Sequence, residues 1–465
     1  MQQTIGAIAS VIVLVIAVRY LLKRYQPQIV LALAGITLLV VAILLGAPTT
    51  AILGKGKSSG FIGFDIYNFM ANTLSGRVAG LGLIIMSAGG FATYMEKIGA
   101  SRALVNVMIK PLSALKSPYL VLAISAALGA ALKTFIPSAA GLSMLLMVTI
   151  YPIIVALGVS KIAAAAMVIT CGCFDVGPAD GNTNLAATNS GIEVTMYYIQ
   201  HQLPVATVGY ITLAVLHYFS ARYFDKKEKV GGIYGGAEEQ VDALNEKDQA
   251  SAAPAFYLFL PMLPLILLLV FSPYCISSIR VTVIPAMLMS FSVGLVCECI
   301  RHKSIKKCFE ACMIYFETMG KMFASVITLI VAGEVFAQGL MATGAVDLFI
   351  DTAKNTGFGP MAMTITMTIF IVISSVILGS GNASFFAFAS LVPKIAKDIG
   401  FAPVYMLLPM QIAAGASRVL SPITAVVVAV GGVAGISPFD LIKRTFIPGF
   451  GAVVTTTIAA LILNG

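Results

Sequence analysis

Gly177-Pro-Ala-Asp-Gly-Asn-Thr-Asn184 interrupts one long apolar stretch of the chain, and Gly415-Ala-Ser-Arg-Val-Leu-Ser-Pro422 interrupts another. Their prolines, Pro178 and Pro422, lie 244 positions apart. Further pairs recur at offsets of 242 to 245: Gly76-Arg77 with Gly320-Lys321, Phe91-Ala92 with Phe336-Ala337, Gly99-Ala100 with Gly344-Ala345, Ser138 with Ser380, Gly158 with Gly400, Gly191-Ile192 with Gly435-Ile436, and Pro204 with Pro448. The conserved order and offset predict that the chain contains two copies of one fold.

The composition predicts a protein that lies in a membrane. Of the 465 residues, 59% are hydrophobic and 11% are charged, and the mean hydropathy is +0.96. A soluble domain carries about 25% charged residues. Ile5–Val18, Ile29–Leu45, Tyr257–Phe271 and Val281–Val296 are clear apolar runs of the kind that crosses hydrocarbon. We therefore predict an all-α polytopic membrane protein without a soluble catalytic domain.

The charges and cysteines exclude several classes of function. The formal net charge is +9, but the basic residues lie at the ends of apolar spans, as in cytoplasmic loops, rather than in a nucleic-acid-binding patch. The first span has no basic residue before it and no cleavage site directly after it, which predicts a retained helix with its N-terminus outside. The seven cysteines form no C-x-x-C framework, and the three histidines are scattered. We predict neither a metal site nor a cofactor.

The distribution of basic residues predicts that the two copies are inverted. The loop after the first span, Arg19–Arg24, is basic and therefore cytoplasmic. The matching loop of the second copy, Ser272–Arg280, has one basic residue, whereas Arg222–Lys229 before that pair of spans and Arg301–Lys307 after it are basic. The same pair of helices is thus expected to run out-in-out in one copy and in-out-in in the other. Two inverted halves in an apolar chain are typical of secondary transporters.

One strongly polar stretch separates the halves. From Arg222 to Asp248 the chain holds five basic and seven acidic residues without an apolar period. This predicts a cytoplasmic linker over 222–254, between a first membrane repeat over 1–221 and a second over 255–465.

Each half contains two breaks, which predict a re-entrant hairpin and a broken helix at about 135–190 and 379–435. The four breaks are Phe135-Ile-Pro-Ser-Ala-Ala-Gly141, Gly177–Asn184, Gly379-Ser-Gly-Asn-Ala-Ser384 and Gly415–Pro422. Breaks at membrane depth are tolerated where they are buried in protein or line a polar cavity. Free N–H groups at such helix ends attract anions. Four converging breaks would suit a small anion with two charged ends, although each break alone also fits an ordinary kink.

Arg418 is the strongest candidate ligand because it lies in the otherwise uncharged stretch Ala413–Val428. An arginine near the centre of a membrane helix costs about 2.5–3.5 kcal/mol on insertion scales. Its planar fork can bind a carboxylate with two parallel hydrogen bonds. A structural pair with a buried acid and snorkelling to the interface remain alternatives. The predicted neutral partners in substrate binding are Ser138, Asn182, Thr183, Asn184, Ser380, Gly381, Asn382, Ser384 and Ser421.

Three acids are candidate coupling groups. Glu334 is flanked by apolar residues on both sides, and a buried carboxylate can carry a proton. Its alternative role is to pair with a base such as Lys321 or Lys133. Asp175 and Asp180 border the break at 177–184, and three roles stay open for them: binding cations, accepting protons or pairing with Arg418.

Several stretches resemble the anaerobic C4-dicarboxylate carriers of the Dcu C type, and the chain looks closest to the D branch of that family. They are Lys57-Ser-Ser-Gly60, Gly89-Gly-Phe-Ala-Thr-Tyr-Met-Glu-Lys-Ile-Gly-Ala100, Phe336-Ala-Gln-Gly339, Gly379-Ser-Gly-Asn382, Ser417-Arg-Val-Leu-Ser-Pro-Ile-Thr-Ala425 and Ile436-Ser-Pro-Phe-Asp-Leu-Ile-Lys-Arg-Thr445. The likeness runs nearly end to end, but the break at 177–184 matches no fixed pattern of the family.

The resemblance implies exchange or export of succinate, fumarate, malate or aspartate at the bacterial inner membrane. It also implies kinship with the ion-transporter superfamily, in which a scaffold domain dimerises and a mobile transport domain carries paired hairpins, as in an elevator. We thus expect a homodimer in the lipid bilayer, with protons as possible coupling ions and without nucleic-acid partners. An amino-acid or arginine/ornithine antiporter of the same superfamily is the nearest alternative, and a membrane-embedded enzyme is a remote one.

Overall fold

The computed structural model describes residues 2–23, 25–54, 56–109, 117–230, 253–272, 275–276, 278–355, 357 and 359–464. Within these ranges the regular structure is helical throughout. Ten of the described helical segments are long and apolar enough to cross a membrane. The predicted all-α polytopic membrane fold is therefore confirmed.

The first half contains twelve helices among its described residues. They are α1 (Gln2–Leu22), α2 (Pro27–Leu44), α3 (Thr49–Leu53), α4 (Ile62–Arg77), α5 (Leu83–Lys97), α6 (Ala100–Ile109), α7 (Pro118–Leu132), α8 (Ala139–Ala156), α9 (Lys161–Cys171), α10 (Gly181–Ser190), α11 (Val194–Met196) and α12 (Leu203–Glu228). Short π-helical turns at Val78–Gly82 and Tyr197–Gln202 join α4 to α5 and α11 to α12.

The second half contains eleven described helices. They are α13 (Leu263–Val270), α14 (Val283–His302), α15 (Ile305–Met322), α16 (Thr328–Ala342), α17 (Ala345–Asn355), α18 (Pro360–Leu378), α19 (Gly381–Phe388), α20 (Val392–Ile399), α21 (Val404–Ser417), α22 (Ala425–Ala434) and α23 (Pro438–Asn464). A π-helical turn at Phe323–Ile327 joins α15 to α16, 245 positions after the turn that joins α4 to α5. Three 3-10 turns, at Ala255–Phe259, Ala389–Leu391 and Arg418–Leu420, complete the half.

Two helices form the centre of the molecule. Every residue from 163 to 178 is buried, which covers most of α9 and the break that follows it, and so is every residue from 406 to 417 in α21. A helix that is apolar on all sides must be buried on all sides. Around this centre the halves interleave, because α2 packs against α16 and α12 packs against α23. The breaks that end α9 and α21 are thereby placed inside the protein.

Side-chain caps begin the helices that follow three of the breaks. Ser138 accepts a hydrogen bond from Gly141 N at the start of α8, and Ser380 accepts one from Ala383 N at the start of α19. Asp180 accepts bonds from the first N–H groups of α10. Such caps contribute about 1 kcal/mol each. Gly379, with a φ of 64°, ends α18 in the left-handed region that favours glycine, so the chain can reverse there within two residues.

Because of these caps, the helices after these three breaks begin earlier than the sequence predicted. The structure leaves 133–138, 172–180 and 379–380 outside the α-helices and follows the 3-10 turn at Arg418–Leu420 with residues 421–424. The segments predicted as breaks after these points are therefore partly helical: Asn182–Asn184 lie in α10 and Gly381–Ser384 lie in α19. A polar residue that caps a helix marks the end of the break, because the residues after it already have helical backbone.

The first residues of the linker predicted over 222–254 are helical. Helix α12 continues to Glu228, where its last turns are held by contacts with both halves. Asp225 accepts a hydrogen bond from Ser160 Oγ at 2.6 Å and pairs with Arg444 at 3.2 Å. Polar residues with buried partners stay helical and packed. Residues 231–252 of the predicted linker lie outside the described residues.

Candidate functional site

Asp175, in the break between α9 and α10, lies at the centre of the candidate site. Its side chain is buried, and its Oδ1 lies 3.0 Å from Lys133 Nζ. Its Oδ2 binds Arg418 Nη2 from the second half and accepts a hydrogen bond from Asn182 Nδ2 at 2.8 Å. The two oxygens of one carboxylate are thus bound by two cations. Of the three roles left open for Asp175, the structure places it as the partner of Arg418.

Asp180 does not pair with Arg418; it caps α10 and lies near Lys133. Its Oδ1 caps α10 by accepting bonds from Asn182 N at 2.8 Å and Thr183 N at 3.2 Å. Its Oδ2 lies 3.6 Å from Lys133 Nζ. The buried Lys133 therefore stands between two acids, which offsets the cost of removing its charge from water.

Two asparagines join the breaks of the two halves. Asn182 lies near the start of α10 and Asn382 near the start of α19. The Nδ2 of Asn182 donates to the Oδ1 of Asn382 at a distance of 3.0 Å. Arg418 Nη2 also approaches Asn382 Oδ1, at 3.5 Å. The N-terminal ends of α10 and α19 are therefore close together, beside the guanidinium of Arg418. Converging N-terminal ends carry partial positive charge and favour an anion.

Two buried glutamines, Gln202 and Gln411, support the cluster through their side-chain amides, and neither was predicted from the sequence. Gln202 and Gln411 each donate from Nε2 to the backbone oxygen of Asp175 and to Thr183 Oγ1. Gln202 Nε2 also donates to Gln411 Oε1 over 3.0 Å. Gln411 lies in an otherwise apolar part of α21, where the cost of burying an unpaired amide could have identified it. Gln202 follows the polar residues Gln200 and His201, so no such signal is present there.

Other predicted ligands are turned toward their own backbone. Asn184 donates to the oxygens of Pro178 and Asp180, both over 2.7 Å, and so stiffens the break. Ser384 is one turn inside α19 and donates to Ser380 O over 3.3 Å. These side chains shape the site without reaching the ion pairs.

The remaining predicted residues border the cluster in different ways. Ser138 and Ser380 are helix caps. Gly381 lets α19 approach α21, since a Cβ there would lie 2.0 Å from the backbone oxygen of Ala414. The Oγ of Ser421 is buried and has no hydrogen-bond partner among the described residues, and the same holds for Asn182 Oδ1. Buried polar atoms normally have partners. The hydroxyl of Ser421 can therefore donate to a bound anion, whereas Asn182 Oδ1 can only accept a hydrogen bond.

The cluster is electrically balanced. Lys133 and Arg418 supply two positive charges, and Asp175 and Asp180 supply two negative charges, all on side chains that are at most 11% exposed. Isolated charges at membrane depth are costly, but paired ones are tolerated. A small anion that enters must therefore compete with Asp175 or Asp180 for the cation that each of them binds.

Glu334 lies apart from this cluster and pairs with Arg77. Its Oε1 is 2.5 Å from Arg77 Nη2, and the two side chains are 11% and 24% exposed. The structure shows the alternative contact, a pair with a basic residue, but the partner is Arg77 and neither of the two examples, Lys321 and Lys133. Lys133 lies beside Asp175 and Asp180. Arg77 ends α4 directly before a π-helical turn, so the pair links the two halves at an irregular point of the helix.

The Arg77 pair predicts the behaviour of Glu334→Gln. Because glutamine leaves Arg77 without its counter-charge, we expect a lower melting temperature and a similar decrease, about threefold to tenfold, in exchange and in proton-driven flux. Both fluxes are measured on purified protein in liposomes, with and without an imposed pH gradient. Loss of the proton-driven flux alone, with exchange intact, would instead assign Glu334 to proton coupling.

Comparison with known proteins gives consistent matches over nearly the whole chain. The model of the DcuC family, the C4-dicarboxylate anaerobic carriers, matches residues 5–465. A Vibrio cholerae protein named probable anaerobic C4-dicarboxylate transporter is 35% identical over 448 residues, 96% of this chain and 95% of that protein. The anaerobic C4-dicarboxylate transporter of Escherichia coli strain K12 is 33% identical over 455 residues, 98% and 96% of the two chains.

A solved structure supports the fold. MtrF of Neisseria gonorrhoeae, which represents a class of antimetabolite efflux pumps, superposes with a TM-score of 0.63 at 11% identity. The match covers 94% of this chain and 95% of MtrF. At this level of identity the likeness concerns the arrangement of helices alone.

Proposed function

Because the chain belongs to the DcuC family of C4-dicarboxylate anaerobic carriers, we propose that it is a secondary active transporter of succinate, fumarate, malate and aspartate. It works by alternating access in the bacterial inner membrane. The observation that carries the proposal is the guanidinium of Arg418, which lies beside the N-terminal ends of α10 and α19 and is bound by a carboxylate.

The site offers chemistry that suits both ends of a short dicarboxylate. Arg418 can hold one carboxylate with two parallel hydrogen bonds. The second carboxylate lies near the helix ends, the hydroxyl of Ser421 and the amide nitrogen of Asn382, which bind an acid without adding an unpaired charge. Gln202 and Gln411 both donate to the hydroxyl of Thr183 in α10, and this contact keeps the start of α10 in place.

The charge of the cargo limits the modes of transport. A dianion that leaves the cell across about 100 mV, inside negative, gains roughly 2.3 kcal/mol per charge. Export of succinate can therefore run downhill or together with protons. Exchange of one dianion for another moves no net charge and needs no coupling ion. We propose exchange as the basic mode and proton-coupled export as the second.

The proposed movement is that of an elevator built from inverted repeats. The hairpin-bearing parts, roughly 120–200 and 360–440, move against a scaffold of the early helices, and the scaffold forms a homodimer. The equal spacing of the π-helical turns before α5 and α16 supports a repeated design. Labelling from each side of the membrane tests the inversion: Lys23 and Lys303 should both react from the cytoplasm, and labelling from opposite sides would contradict it.

Counterflow tests the function directly. Purified protein in liposomes loaded with unlabelled fumarate should accumulate labelled succinate transiently, and loading with malate or aspartate should do the same. Empty liposomes and liposomes loaded with acetate serve as controls. Absence of counterflow with every C4-dicarboxylate would refute the proposal.

The two alternatives receive less support. A cationic cargo such as ornithine favours a site dominated by acids, whereas the acids here are bound by Lys133 and Arg418. Competition of succinate counterflow by ornithine would revive that alternative. The two curated relatives described above are named transporters, which favours transport over membrane-embedded catalysis. Counterflow by the purified protein would establish transport independently.

A further inference from the structure

We propose that Asp175 acts as an internal substitute for the substrate carboxylate. It binds Arg418 while the carrier is empty and releases it when a substrate carboxylate arrives. This lets the unloaded carrier return across the membrane, so that the protein can perform net transport as well as exchange. The inference rests on the proposed function, since it assumes that Arg418 binds the substrate.

The contacts of Asp175 suit such an exchange of partners. Oδ2 faces Arg418, whereas Oδ1 faces Lys133 at 3.0 Å, and Asn182 Nδ2 donates to Oδ2. When a substrate carboxylate takes the guanidinium, Asp175 keeps a cation and a hydrogen-bond donor. Among the described residues, Asp175 is the one acid that binds Arg418. A single carboxylate therefore decides whether Arg418 is occupied.

The backbone and the carboxylate of Asp175 are held by different groups. Asp175 follows the end of α9 and precedes α10, so its backbone lies in the break rather than in a helix. The two glutamines bind its backbone oxygen, not its carboxylate. The main chain is thus held independently of the carboxylate, so the ion pairs of the carboxylate can change without displacing the backbone. Asp180, by contrast, is committed to capping α10.

The balance of charge explains why the substitute matters. With Asp175 in place, the empty site holds two cations and two anions and is neutral. Without it, the empty site would carry an unpaired guanidinium through the membrane, which is costly. A carrier with such a site changes sides only when loaded, and it is then restricted to exchange. Asp175 removes that restriction, at the cost of competing with the substrate.

The experiment compares exchange with net efflux in Asp175→Asn. Both fluxes are measured in proteoliposomes preloaded with labelled succinate, one with unlabelled succinate outside and the other with none. We expect the ratio of net efflux to exchange to decrease on the order of tenfold relative to the wild type, because the empty site is then charged. We also expect succinate to raise the melting temperature at lower concentration, because its internal competitor is gone.

Asp225→Asn is the matched control, since it also removes one buried acid from an arginine but lies at the end of α12, bound to Arg444. It should change exchange and net efflux by the same factor and leave the succinate dependence of melting unaltered. Asp175→Glu retains a carboxylate and should keep the ratio within about twofold of the wild type. If the asparagine variant fails to fold, a roughly tenfold lower ratio in Asp175→Glu would by itself contradict the proposal.

The outcomes separate the two proposals. An unchanged ratio in Asp175→Asn, or a ratio in Asp175→Glu that falls as far as in the asparagine variant, would overturn the role of Asp175 while the carrier function stands. Weaker succinate binding in Asp175→Asn would assign Asp175 a purely structural role. Absence of succinate exchange in the wild type would overturn the proposed function, and the inference with it.

Discussion

Replacing Arg418 by lysine is expected to reduce succinate counterflow by about 30- to 100-fold while the protein still folds. Lysine keeps the positive charge that Asp175 needs, but it cannot present two parallel donors to a carboxylate. A hydrogen bond to a charged group contributes about 1.5–3 kcal/mol, so the loss of one bond accounts for the expected factor. Counterflow per folded protein, with melting temperature as the measure of folding, tests the prediction.

Arg444→Lys is the control for this substitution. Arg444 is also buried and also binds acids, Asp225 at 3.2 Å and Glu228 at 2.7 Å, but it belongs to α23 and lies outside the candidate site. We expect a comparable loss of stability and near-normal counterflow. Exchange at the wild-type rate in Arg418→Lys would exclude Arg418 as a ligand and leave it as the structural partner of Asp175.

Features that depend on neighbouring residues were predictable from the sequence. The four breaks follow from local runs of Gly, Pro and polar residues, and the caps at Ser138 and Ser380 recur at the repeat offset. The exact ends of the breaks were not predictable, because a serine or aspartate near a break fits either a loop or a cap. An error of a few residues in the end of a break changes where a side chain points. Ser384, predicted to lie in a break, is one turn inside α19.

Contacts between distant residues were not fixed by the sequence. Arg418 and Asp175 are 243 positions apart, and Asp175 and Asp180 were equal candidates until the structure showed that Asp180 caps α10. Lys133 was only one example of a base that could pair with Glu334, and the structure places it beside Asp175 and Asp180 instead. Gln202 and Gln411 were missed because one buried amide alone resembles a tolerated polar residue. Only the folded structure shows that both side chains donate to the backbone oxygen of Asp175.

Gly381→Ala is expected to abolish transport, because α19 and α21 approach each other closely at the site through the backbone of Gly381 and Ala414. A Cβ at Gly381 would lie 2.0 Å from the backbone oxygen of Ala414 and 2.6 Å from its carbonyl carbon. Neither atom can rotate away, so α19 must shift from α21. A misplacement of about 1 Å at a reacting or binding group can cost about 100-fold. We expect counterflow to fall by at least that factor and the melting temperature to decrease.

Gly432→Ala provides the matched control, since Gly432 lies on α22 with nothing within 4 Å of the added Cβ. It should transport like the wild type and melt at an equal or slightly higher temperature, because alanine favours a helix over glycine. Gly415→Ala should resemble Gly381→Ala, since its Cβ would lie 2.4 Å from the backbone oxygen of Cys173. The contact from α19 through α21 to the break after α9 would then be established as the frame that holds Arg418 against Asp175. Normal counterflow in Gly381→Ala would show that the tip of α19 is free to move and does not position the substrate.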